Sequence, residues 1–223
     1  MRTQTKETQA SLTPQEVVTI LTEGNKRFTS NLKANRDLLQ QVKETSKGQH
    51  PYAIVLSCID SRTSSELIFD LGMGDIFNAR IAGNIVNEDI LGSMEFACKV
   101  AGSKLIVVLG HTKCGAVKGA CDHVELGNLT GLVKKIEPAV NAVETDGARN
   151  SSNADFVEKV AVENVYRAIN EIQAKSPILK EMIENGEIGI IGGMYDVETG
   201  NVEFYNHTFN QKGAANEELA GKH

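Results

Sequence analysis

Two short segments carry most of the chemically useful side chains in this 223-residue chain: Cys58-Ile59-Asp60-Ser61-Arg62 and His111-Thr112-Lys113-Cys114-Gly115. Each follows an apolar run that reads as a buried strand, residues 52–57 and 105–109. In open α/β sheets, sites gather at the carboxyl ends of strands. If the two strands are neighbours, Cys58, His111 and Cys114 converge on one point. Two thiolates and an imidazole suit zinc, and three strong ligands leave a fourth position for water or substrate, as catalytic zinc sites do. An H-x-x-C turn arises often by chance, so the weight rests on the paired segments.

Asp60 and Arg62 admit two readings. One is a turn aspartate with a surface arginine. The other is a carboxylate kept ionised and oriented by the arginine, placed either to accept a hydrogen bond from a metal-bound water or to bind the metal itself. The other two cysteines, Cys98 and Cys121, sit in apolar helical patterns and read as core residues.

The remaining elements must position these groups. Thr13-Pro14-Gln15-Glu16 is a helix start with a capping box, and residues 13–47 read as a helical arm with one apolar stripe. Residues 1–12 are polar and read as loose. Strands are predicted at 52–57, 76–81, 105–109, 188–197 and 202–209, the last two joined by a turn at 198–201. Helices are predicted at 64–71, 89–101, 115–126, 129–145 and 155–174. The tail 211–223 is polar and is expected to be disordered. This alternation predicts an α/β fold, a mostly parallel central sheet flanked by helices, with an N-terminal helical arm (1–50), a zinc core (51–210) and an antiparallel edge near the C-terminus, all in one domain of residues 1–223.

The formal net charge of −6 offers no basic surface for nucleic acid or an anionic membrane. The N-terminus lacks the apolar run of a signal peptide, and the longest apolar stretches are too short to span a bilayer. A cytoplasmic location is expected, where four cysteines serve better as ligands or core than as disulfides. No G-x-G-x-x-G or P-loop follows the first strand, which argues against a nucleotide-binding protein.

Together the motifs resemble the β-class carbonic anhydrases. The resemblance runs from about Gln49 to Ala120 and includes the segment 74–80, Ala82-Gly83-Asn84 and Gly92-Ser93-Met94-Glu95-Phe96. It implies reversible hydration of carbon dioxide to bicarbonate and a proton by a zinc-bound hydroxide, with one Zn2+ per chain on Cys58, His111 and Cys114. It implies Asp60 and Arg62 as the catalytic dyad, Gln49 as a hydrogen-bond donor to substrate, and Phe77 and Phe96 as the apolar wall for carbon dioxide. The helix starting near Gly115 would offer free amides to a developing anion. The family builds its pocket at a dimer interface, so the resemblance implies a homodimer as building block, or a homotetramer, with the N-terminal arm embracing the partner. Some bacterial members have an inhibitory bicarbonate site that needs a tryptophan where this chain has Val55. Arg80 matches the arginine of that site but cannot rebuild it alone, so the plant-like subtype is expected. Two thiolate ligands make the bound water less acidic than three histidines do, which predicts activity favouring alkaline pH. His50 and His123 read as surface histidines, and no proton carrier is assigned. A carbon disulfide or carbonyl sulfide hydrolase on the same fold, and a non-catalytic zinc protein, are the alternatives.

Overall fold

The computed structural model describes residues 3–210, and the tail expected to be disordered lies outside them. Along the chain run α1 (Lys6–Ser11), α2 (Pro14–Thr29), α3 (Leu38–Thr45), β1 (Ala53–Ser57), α4 (Ser65–Ile68), β2 (Ile76–Arg80), α5 (Glu88–Glu95), β3 (Leu105–His111) and α6 (Gly115–Cys121). Then follow α7 (Gly127–Val133), α8 (Glu137–Ala142), α9 (Ala154–Lys175), α10 (Pro177–Glu184), β4 (Gly189–Tyr195) and β5 (Val202–Asn210). A short 3-10 turn covers Ala82–Asn84, and a π-helical turn, Phe96–Val100, continues α5.

The sheet has the strand order β2-β1-β3-β4-β5. The first four strands are parallel and β5 runs antiparallel to β4, as the alternation predicted. Every residue of β1, β3 and β4 is buried, which is why these strands read as continuous apolar runs. Side chains alternate between two cores. Ile54, Leu56, Ile106 and Val108 pack on one face with α9 residues such as Val160 and Val165. Val55, Val107 and Leu109 pack on the other with Val17, Val18 and Leu21 of α2.

The N-terminal region departs from the expected arm in three ways. Residues 6–11 form α1, started by a reciprocal Thr5–Thr8 capping box. Its Gln9 is buried and donates from Nε2 to Pro51 O at 2.7 Å and Ala101 O at 2.8 Å. The stretch read as one helix over 13–47 is broken at residues 30–37, where Asn31 takes a left-handed φ of 55°. The apolar stripe of α2 covers the chain's own sheet rather than a partner, and it is Leu38, Leu39 and Val42 of α3 that lie exposed. Elsewhere, the helix read at 129–145 divides into α7 and α8, and α10 adds a helix the periodicity had not predicted. The α10 start was marked all the same: Ser176 caps it and Pro177 occupies its first turn.

The break at 30–37 is held by a buried ion cluster. Arg27 Nε lies 2.6 Å from Asp70 Oδ2, Arg36 Nη1 lies 2.6 Å from Oδ1, and the Ala34 amide donates to Oδ2 at 3.1 Å. The Asp70 and Arg36 side chains are only 6% and 8% exposed, so removing one partner strands charge out of water. Asp70→Ala is expected to cost about 3 kcal/mol of stability in urea unfolding, the range found when one partner of a buried pair is lost.

Candidate metal centre

β1 and β3 are adjacent and parallel, with Ser57 level with Leu109. Cys58 leaves the end of β1, and His111 ends β3 two residues past Leu109. Both therefore emerge at the carboxyl end of the sheet. Lys113, in the left-handed region at φ 57°, turns the chain so that Cys114 comes back as the N-cap of α6. The Cys58 and Cys114 sulfurs and a ring nitrogen of His111 all lie within 4.8 Å of one another, and among the described residues this is the one His/Cys/Asp/Glu group able to hold a metal ion. All three residues are buried.

The donor set fits a metal. His111 Nδ1 lies 2.9 Å from Thr112 O, and a carbonyl can only accept, so Nδ1 carries the hydrogen and Nε2 a bare lone pair. Nε2 is buried and has no hydrogen-bond partner. A buried, unpartnered acceptor is costly unless something binds it. The thiols point the same way. Hydrogen bonding from Cys114 and from the backbone amides of Gly83 and Asp60 outweighs burial and holds the Cys58 thiol down at about 4. Its partner Cys114 is pushed up, by its bond to Cys58 and by burial. One thiolate is thus formed in place, and a metal would displace the remaining proton. Burial disfavours a charged His111, but the Cys58 thiolate more than offsets it and raises the imidazole pKa.

Asp60 stands apart from this group. Arg62 grips its carboxylate with two bonds, Nε to Oδ1 at 2.9 Å and Nη2 to Oδ2 at 2.8 Å, and the Arg62 amide donates to Oδ1 at 3.0 Å. The guanidinium holds the carboxyl far below the usual carboxylate range, so Asp60 is ionised at every working pH. Its oxygens face Arg62 and do not join the metal group.

Several supports were not foreseen in this role from sequence; Arg80 was noted only as matching an inhibitory-site arginine. Arg80 donates from Nε to Cys58 O at 3.0 Å and from Nη2 to Asp60 O at 2.7 Å, so its guanidinium buttresses the turn between Cys58 and Arg62. The Thr63 hydroxyl lies 2.9 Å from Cys58 O and braces the same turn. Glu158 of α9 accepts the Lys113 amide at 2.8 Å, and the Thr112 hydroxyl is 3.2 Å from Asp196 Oδ1. The only signal for these residues was their type; the partners lie up to 84 positions away.

Gln49, Phe77 and Phe96 do not meet the metal group within one chain. Gln49 is exposed and precedes β1, whereas Cys58 follows it; β1 alone separates them by about 13 Å at roughly 3.3 Å per residue. Phe77 is level with Ile54, four residues short of Cys58. Phe77 and Phe96 make an edge-to-face pair 6.1 Å apart and line a cleft of about 630 Å³ with Ile54, Glu88 and Gly92. Phe96 is 53% exposed. Gly115 opens α6, and a Cβ there would meet nothing within 4 Å. The first free amides of α6, those of Ala116 and Val117, bond to the Cys114 sulfur and are thereby engaged with a ligand. Cys98 and Cys121 are buried in the core, as expected, with their thiols pushed up by burial to about 12 and about 11. The His123 side chain is 67% exposed, with Nδ1 4.0 Å from Glu137 Oε1.

A sequence model of the family described as "Carbonic anhydrase" matches residues 53–202. "Carbonic anhydrase 2" of Mycobacterium tuberculosis is 34% identical over 196 residues, covering 85% of this chain and 92% of that one. The structure of the β-carbonic anhydrase CcaA superposes with a TM-score of 0.65 at 27% identity, over 88% of this chain and 91% of that one. One of two tetrameric β-carbonic anhydrases from Sordaria macrospora gives 0.65 at 21% identity, over 86% and 97%, a likeness of fold alone.

The thiol pair makes a spectroscopic prediction. In metal-free protein, the 240 nm thiolate absorbance should show a first step well below the ordinary cysteine range. The depressed pKa means the thiolate is present above that step and lost below it. Cys58→Ala should abolish the step, and a first step near the ordinary cysteine value of about 8.5 would contradict the assignment.

Proposed function

The chain belongs to the β-class carbonic anhydrases, and on that premise we propose that it is a zinc enzyme catalysing the reversible hydration of carbon dioxide. The observation that carries the reading is the buried Cys58–His111–Cys114 group with its bare His111 Nε2, beside an aspartate held ionised by Arg62. Zinc bound there supplies a Lewis acid that lets water ionise near neutral pH.

The protein's own groups divide the remaining work. Asp60 accepts a hydrogen bond from the attacking water and fixes where its lone pair points. Arg62 keeps that carboxylate charged and oriented, and Arg80 holds the backbone beneath it. Gln49 donates to the substrate oxygen that gains charge during attack. Phe77 and Phe96 provide an apolar surface for a substrate with no net dipole. Gly115, with open space at its Cα, leaves room for substrate at the start of α6. Thiolate ligation favours turnover at alkaline pH.

Since Gln49, Phe77 and Phe96 lie away from Cys58 in their own chain, they serve the centre of a second copy. A homodimer is then the smallest active unit. The tetrameric Sordaria relatives and the exposed apolar side of α3 support assembly into dimers or a tetramer. The Asp60–Arg62 pairing, together with Val55 packed in the core, supports the plant-like subtype. All four cysteines are free and no helix of the described residues is long and apolar enough to cross a membrane, which is compatible with a cytoplasmic enzyme.

Three measurements test this reading. Purified protein should carry one zinc per chain and hydrate carbon dioxide in stopped-flow assays between pH 6.5 and 9, faster at the alkaline end. Full zinc with sulfide release from carbonyl sulfide and no hydration would redirect it to sulfur substrates. Asp60→Asn should retain zinc and lose hydration activity by about a hundredfold or more, the scale of losing a positioned proton acceptor, whereas Cys58→Ala should lose the metal as well. Mixing Gln49→Ala with Asp60→Asn should recover activity, up to roughly a quarter of wild-type sites. Half of the two-fold dimers are then mixed, and each has one intact site. No recovery on mixing would place Gln49 outside the partner's site.

A further inference from the structure

We propose that Asn164 of α9 is a positioning residue for the metal centre, acting on Cys58 through the peptide units of Gly83. Asn164 is 5% exposed and donates from Nδ2 to Gly83 O at 2.8 Å. The amide of the same Gly83 donates to Cys58 Sγ at 3.3 Å. One residue thus receives a hydrogen bond from α9 on its carbonyl and delivers one to a metal-ligating sulfur from its nitrogen.

Backbone bonds from Asn84 N–H to Ile81 O at 2.9 Å and from Ile81 N–H to Ser57 O at 3.0 Å hold the amide side of the segment around Gly83 and leave the Gly83 carbonyl to another partner. Gly83 and Asn84 both sit at positive φ, 67° and 41°, and the 3-10 turn they form is only three residues long. Packing limits Gly83 without orienting it. A Cβ there would meet Ile136 Cδ1 at 2.5 Å and Ala116 Cβ at 3.2 Å, so the backbone must approach α6 and Ile136 closely. The side-chain hydrogen bond that fixes the Gly83 carbonyl comes from Asn164, 81 residues away on α9. Without it, Gly83 O is left buried and unpaired and the segment turns to satisfy it, carrying the N–H away from the sulfur. A thiolate that loses an N–H donor keeps more charge on sulfur. Outer hydrogen bonds of this kind orient metal ligands, and their loss weakens metal binding about ten- to a hundredfold.

The inference rests on the zinc reading above, and its test separates the two. Zinc affinity is measured by chelator competition, and the thiolate-to-cobalt charge-transfer band is recorded on Co2+-substituted protein. Asn164→Ala should weaken zinc by about ten- to a hundredfold and move the band to lower energy. Asn164→Asp, equal in size but without the N–H, should do the same, and it gives the answer if the alanine variant does not fold. Val160→Ala, a core truncation on the same helix, should lower the melting temperature and leave affinity and band unchanged. Folded Asn164 variants with unchanged affinity and band would overturn the inference while leaving the zinc reading intact. Equal losses in Val160→Ala would overturn it too, by reducing the effect to general destabilisation. A wild-type chain that takes up no metal would remove both readings at once.

Discussion

The site depends on one pairing, that of β1 with β3. Two adjacent parallel strands end at the same carboxyl end of the sheet, and their register decides which residues meet there. With Ser57 level with Leu109, the residue after β1 and the last residue of β3 become neighbours. A slip of one residue would turn Cys58 into the opposite core, because side chains alternate along a strand. Both cores resist that slip, since Ile54 and Leu56 fill one and Ala53 and Val55 the other. The Cys58 and His111 side chains are therefore positioned by apolar packing well below them.

Above that register, polar contacts orient what packing has brought close. The two ligand segments are braced separately. Arg80 and Thr63 hold the carbonyls of the Cys58 turn, while Thr112, Asp196 and Glu158 hold the His111–Cys114 turn. These braces come from β2, α9 and the β4–β5 connection, so the site borrows rigidity from most of the sheet. Preorganisation matters here because three ligands with the wrong spacing would admit a metal only by distorting the fold.

How much of this could be read from the chain follows from how local each signal was. Cys58, His111 and Cys114 were legible because their types and the strands before them lie within a few residues. The parallel sheet was legible because fully buried strands leave unbroken apolar runs. The N-terminal region was misread partly because its determinants are remote. Arg27 and Arg36 meet Asp70 only in the folded chain, and the local marks of the break, Ser30-Asn31 and the Asp37 cap of α3, were passed over. The α1 capping box uses Thr8 where glutamate is usual, so it left no familiar mark. The start of α10, by contrast, was written in Ser176-Pro177.

Gln9 carries a practical meaning for anyone handling the gene. Its amide closes on Pro51 O and Ala101 O, two carbonyls that flank the strands bearing the ligands. A shortened coding sequence that starts at the proline-led helix, Thr13 onward, would discard this plug and expose the floor beneath β1 and β3. The short helix α1, capped at Thr5, is thus part of the packed body and not a dispensable leader to it.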